Sequence, residues 1–92
     1  MTARPQIITG RDGMPRPREQ EEQIADLCLA VFHEGAGARL LAHLRNTTLN
    51  RVLGPGATDA ELRHHEGKRE LVATIMQRMD DARANRARGA AA

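Results

Sequence analysis

With 92 residues and a formal charge of +2, the chain has room for one small domain. A single Phe, no Trp and no Tyr remove the aromatic area that anchors most small cores, and one Cys excludes an internal disulfide and fits a reducing compartment. No stretch has the length of a membrane span or the apolar centre of a secretory signal, so a cytoplasmic protein without membrane contact is expected.

The first segment, residues 1–17, carries three prolines and two glycines around a brief Ile7-Ile8 pair. That composition predicts an extended, mobile arm. Its Arg4, Arg11 and Arg16 are available to a polyanion or simply solvated, and Ile7 and Ile8 could dock on a neighbouring subunit. A first helix is expected from about Arg18 to His33, with Glu19, Glu21 and Glu22 at the positive end of its dipole. Ile24, Leu27, Cys28, Val31 and Phe32 form its apolar stripe, widened by Ala25 and Leu29. Cys28 on such a stripe is read as a small buried hydrophobe, not a nucleophile.

Gly35 is suited to the left-handed conformation that ends a helix. A second helix is then expected from about Ala36 to Thr47, with Gly37, Leu40, Leu41 and Leu44 on its apolar face and Arg39, His43, Arg45 and Asn46 on its polar face. Two helices joined by a short glycine-bearing turn resemble a DNA-reading helix-turn-helix, but an ordinary helical hairpin is the preferred reading.

After Leu49, Val52, Leu53 and a Gly-Pro-Gly turn comes the most strongly marked helix, from Thr58 to about Ala82. Thr58 and Glu61 have the spacing of a capping box. Leu62, His65, Val72, Ile75, Met76 and Met79 follow at three- and four-residue intervals, with Leu71 at the edge. Gly67 interrupts this helix at a cost of about 1 kcal/mol relative to Ala, either as a tolerated defect or as a close crossing by a neighbouring helix, which is preferred. Residues 83–92 form an Ala/Arg-rich tail that either prolongs the helix or frays. The fold expected is all-α: a helical hairpin or three-helix unit over residues 18–82 with a long C-terminal helix. With so little core and no staples, it should be completed by self-association. Leu27, Val31, Phe32, Leu41, Leu44, Gly67, Val72, Ile75 and Met79 are its expected packing and oligomerisation positions.

Little in the sequence speaks for catalysis or for a bound cofactor. His64, His65 and Glu66 are adjacent, so their directions diverge by about 100° along a helix and cannot converge on one ion. No HExxH, phosphate-binding loop or nucleophile elbow occurs. Glu61 with His65 and Glu66 with Arg69 have the spacing of surface ion pairs. Thirteen of the 14 basic residues are Arg, a bias that either GC-rich coding or an anionic partner explains, since the guanidinium fork suits phosphate and carboxylate.

Two stretches carry a resemblance. Val31-Phe32, then Gly37 with Leu40, Leu41 and Leu44, then Glu66-Gly67-Lys68-Arg69 with Leu71, Val72 and Ile75, resemble a family of short phage and prophage proteins encoded near head and DNA-packaging genes. In that setting the chain looks like the oligomerisation core of a compact small terminase subunit, of the phage or gene-transfer-agent kind, although it lacks a separate N-terminal DNA-reading domain. The resemblance implies a homo-oligomer that binds double-stranded DNA weakly and without sequence preference and presents it to a large terminase ATPase. Arg39, Arg45, Arg83, Arg86 and Arg88 are the candidate DNA contacts. The alternatives are a structural head or connector protein that does not touch DNA, and a small helix-turn-helix regulator.

Overall fold

The computed structural model describes residues 4–91. Two short strands, β1 (Ile7–Thr9) and β2 (Pro15–Pro17), precede three helices: α1 (Arg18–Phe32), α2 (Gly35–Thr47) and α3 (Asp59–Ala91). The molecule is an elongated slab of 60 × 30 × 18 Å. Its radius of gyration of 16.4 Å compares with about 12 Å for a compact chain of this length.

The N-terminal segment, expected to be an extended, mobile arm, forms a hairpin within its described part; residues 1–3 lie outside the described residues. Ile7, Ile8 and Thr9 pair antiparallel with Pro17, Arg16 and Pro15. Prolines are tolerated here because a two-stranded ribbon is all edge and each strand has a side that needs no donor. The turn is closed by Gly10 N–H donating to Met14 O at 2.9 Å and by Met14 N–H donating to Asp12 Oδ1 at 3.0 Å. Gly13 takes φ +84°, a conformation that L side chains rarely adopt. Arg18 N–H donates to Gln6 O at 2.8 Å, so the hairpin runs directly into α1.

Helix α1 ends as expected, with Gly35 at φ +62°. The chain then turns back so tightly that a Cβ at Gly37 would lie 1.6 Å from the Val31 carbonyl oxygen. This is the close backbone approach that the sequence reading assigned to Gly67. Gly67 itself is exposed, and a Cβ there would meet nothing within 4 Å. Among the described residues, no other helix approaches it within 4 Å.

Helix α3 begins with the capping box in place: Glu61 N–H donates to Thr58 Oγ1 at 3.1 Å, and Thr58 N–H donates to Glu61 Oε1 at 3.2 Å. Its 33 residues run straight through the Ala/Arg-rich segment to Ala91, with Ala92 outside the described residues. The good helix propensity of Ala and Arg, together with the pairing of Asp81 with Arg11 of the hairpin turn, explains why the helix does not stop at Ala82.

The core is small. Ala25 and Leu29 of α1, Leu41 of α2, and Val72, Met79 and Ala82 of α3 are buried, and Cys28, Phe32, Leu44, Leu49, Ile75 and Met76 pack against them. Phe32, Leu41, Leu44, Val72, Ile75 and Met79 thus pack within the chain, whereas Leu27 and Val31 point out, 64 % and 56 % exposed. The face of α1 that packs inward is centred on Ala25 and Leu29, about 100° or more from Leu27, so the stripe read from the sequence splits into an inner and an outer half.

Candidate nucleic-acid interface

Two elements bring expected DNA contacts together. Helix α2 crosses the middle of α3, and the groove between them, about 270 Å³, is floored by Phe32, Leu41, Met76 and Met79. Arg45 of α2 and Arg83 of α3 line this one groove, although 38 residues separate them in sequence. Arg83 also donates to Asp80 Oδ1 at 3.3 Å, one turn earlier on the same helix. Both partners of that pair are more than half exposed, so it holds Arg83 weakly. Arg39 and Arg86 are exposed on the outer surfaces of α2 and α3. Arg88 is separate: it bonds Asn85 and lines a different groove, about 220 Å³, with Ile8, Arg18, Glu22 and Asp81.

Arg11 and Arg16 of the N-terminal segment are committed to the fold. Arg11 holds Asp81 in a two-point pair, Nε to Oδ2 at 2.8 Å and Nη2 to Oδ1 at 2.7 Å. Arg16 bonds Asp12 and Glu21, each at 2.7 Å. Arg78 reaches the same Glu21 at 3.1 Å from α3. Glu21, placed by its sequence position at a helix start, is 7 % exposed and forms the centre of this cluster. The Arg16 hydrogen bond holds the Asp12 carboxyl well below the usual carboxylate range, aided by the Met14 amide. The Arg11 hydrogen bond lowers Asp81 in the same way, and Arg11 and Arg16 are raised in return. Nothing in the sequence marks this cluster, because its members meet only in the folded chain.

The histidines divide. His64 is exposed, while His65 is buried and its Nε2 donates to the Arg51 carbonyl at 2.9 Å, fastening the α2–α3 connection onto α3. The expected Glu66–Arg69 pair forms at 2.7 Å, but Glu61 serves the helix cap and does not reach His65. Among the described residues, no three His, Cys, Asp or Glu side chains are grouped to hold a metal ion. Cys28 is half-buried, and burial raises its thiol pKa, as expected of a packing residue. No helix among the described residues is long and apolar enough to cross a membrane.

A small helical protein with arginines displayed around a thin core is the class that this geometry defines. Residues 28–88, the end of α1 through most of α3, match the family model described as Bbp19-like phage protein, and the chain belongs to that family. The phage affiliation implied by the Val31-Phe32 and Glu66-Gly67-Lys68-Arg69 motifs therefore holds. No curated protein and no solved structure matches the chain.

Proposed function

We propose that the protein is a noncatalytic component of phage DNA packaging, small-terminase-like, whose copies associate, bind double-stranded DNA weakly and present it to a large terminase ATPase. The observation that carries this reading is the meeting of Arg45 and Arg83 in one groove, with Arg39 and Arg86 exposed elsewhere on the same two helices. Two guanidinium groups from different helices suit a phosphate backbone, and contacts to phosphate position a protein without reading base sequence. One chain offers few such contacts, and Asp80 offsets part of their charge. Repetition around an assembly supplies the rest, since linked weak sites raise avidity by about 10²–10⁴.

A mobility-shift titration of the full chain on duplex DNA tests this. Binding is expected at low salt, tolerant of sequence, and falling with a log–log slope of roughly −0.9 for each phosphate neutralised. Arg45→Ala with Arg83→Ala should weaken it, and Arg88→Ala should do so less. Absence of any shift by the wild type at low salt overturns the DNA reading. The second reading, a structural head or connector protein, is favoured by one observation: Arg11, Arg16, Arg69 and Arg78 are all spent on internal ion pairs.

A further inference from the structure

The surface of this chain is larger than one compact molecule needs. It exposes 6928 Å², against about 5,300 Å² for a compact monomer of 10.1 kDa. The excess of about 1,600 Å² corresponds to two standard interface patches of about 800 Å² each.

Two apolar surfaces stand open, and they differ in charge. One is the outer face of α1, where Leu27 and Val31 are 64 % and 56 % exposed. Asp26 lies next to Leu27 and Glu19 about two turns towards the start of the same helix, both exposed and in no ion pair among the described residues. The other is a groove of about 500 Å³ where the α2–α3 connection lies along the start of α3. Val52, 91 % exposed, Leu62, 45 % exposed, and Leu53 give it an apolar lining. Arg51 and Arg63 border it, again in no ion pair among the described residues, while Arg69 is held by Glu66.

We propose that copies of this chain associate head to tail, the outer face of α1 of one copy seating in the groove between the α2–α3 connection and α3 of the next. Leu27 and Val31 would cover Val52, Leu53 and Leu62, and Glu19 and Asp26 would meet Arg51 and Arg63. Charge decides against the symmetric alternatives: α1 against α1 sets acid beside acid, and groove against groove sets arginine beside arginine. A heterologous contact between two different patches on one chain propagates, closing into a ring or extending as a filament according to the rotation between copies. This inference rests on the self-association assumed in the proposed function, and names its surfaces.

The test is the mass of the full chain in solution, by light scattering at micromolar concentration, for three proteins. These are the wild type, a Glu19→Lys/Asp26→Lys variant and an Arg51→Glu/Arg63→Glu variant. All four positions are exposed, and unchanged thermal melts would verify that each variant is folded. The wild type should be oligomeric, and each variant should associate about tenfold or more weakly. Mixing the two variants should restore association, because each supplies a face complementary to one on the other. The chain carrying all four substitutions should self-associate again. An oligomeric wild type with both variants unchanged in mass overturns the head-to-tail arrangement while leaving self-association intact. Loss of association in the α1 variant alone would mean that α1 pairs with itself, and also overturns it. A monomeric wild type overturns the self-association reading itself, and this inference with it.

Discussion

Arg78 of α3 donates to both carboxylate oxygens of Glu21 in α1, Nη2 to Oε1 at 3.1 Å and Nε to Oε2 at 3.2 Å. Arg16 of the hairpin donates to the same carboxylate from the other side at 2.7 Å. One side chain thereby joins three segments of the chain. The side chains of Glu21, Arg78 and Arg16 are only 10 %, 13 % and 15 % exposed, so neither guanidinium has ready access to water if the carboxylate is removed. Glu21→Ala should therefore destabilise the fold by about 2–3 kcal/mol, most of it the cost of Arg78, which is left with only Asp12 at 3.7 Å, while Arg16 keeps its pair with Asp12. Glu21→Gln keeps acceptor capacity and should cost less. Urea denaturation followed by circular dichroism measures both, and a Glu21→Ala variant as stable as the wild type would show that the cluster is not holding the hairpin.

Two glycines give opposite predictions. Gly37→Ala forces a methyl group into the Val31 carbonyl, which is backbone and cannot rotate away. The α1–α2 corner must open, at a cost of about 3 kcal/mol, the upper part of the usual range for overpacking. Gly67→Ala adds a methyl group in open space on an exposed helix and should stabilise by about 0.5–1 kcal/mol. Thermal melts of the two variants should move in opposite directions; a destabilised Gly67→Ala would point instead to a contact made with another copy.

The helices were legible because local chemistry writes them. Thr58 with Glu61, Gly35, and the spacing from His65 to Met79 each act within a few residues and do in the structure what they predict, whereas Leu62, at the start of the same stripe, is left open. Packing was legible only in part. Leu27 and Leu29 are equally apolar and two residues apart, and only the position of α3 decides which one is buried. Gly37 and Gly67 likewise differ only in what lies opposite them. The hairpin was missed because three-residue strands containing prolines carry almost no periodic signal. What holds it, Arg11 on Asp81 and Arg16 on Glu21, joins residues whose partners are set by the tertiary fold. For the candidate site, the arginines of α2 and α3 could be named from sequence, but not that Arg45 would share a groove with Arg83 while Arg88 lined another.

The same cluster sets a response to acid. In the folded chain Asp12 and Asp81 titrate below the ordinary carboxylate range, held there by Arg16 and Arg11. An unfolded chain binds these protons first, at a pKa of about 3.9. The stability that the two carboxylates contribute is therefore fully present above that value and is lost as pH falls through their lower folded-state values. The urea midpoint should fall as the pH is taken below about 4. Asp12→Asn and Asp81→Asn should each flatten that dependence; equal slopes in wild type and variants would remove these residues from the account.

The connection between α2 and α3 depends on one imidazole. A carbonyl can only accept, so the 2.9 Å contact from His65 to the Arg51 oxygen requires the proton on Nε2. His65 is 9 % exposed, and its ring fills the space where the connection turns over the start of α3. His65→Leu keeps the bulk and removes the donor, leaving the Arg51 carbonyl to find water, a loss of about 1–2 kcal/mol. The cost should be local, because the core residues of α1, α2 and α3 lie elsewhere. The expected outcome is a small drop in global stability with much faster proteolytic cleavage near Gly54-Pro55-Gly56, where the backbone is exposed. His65→Gln can donate from its amide to the same carbonyl and should recover part of the protection. Cleavage at the wild-type rate in His65→Leu would mean that apolar contacts of Leu49 and Leu53 hold the connection without the hydrogen bond.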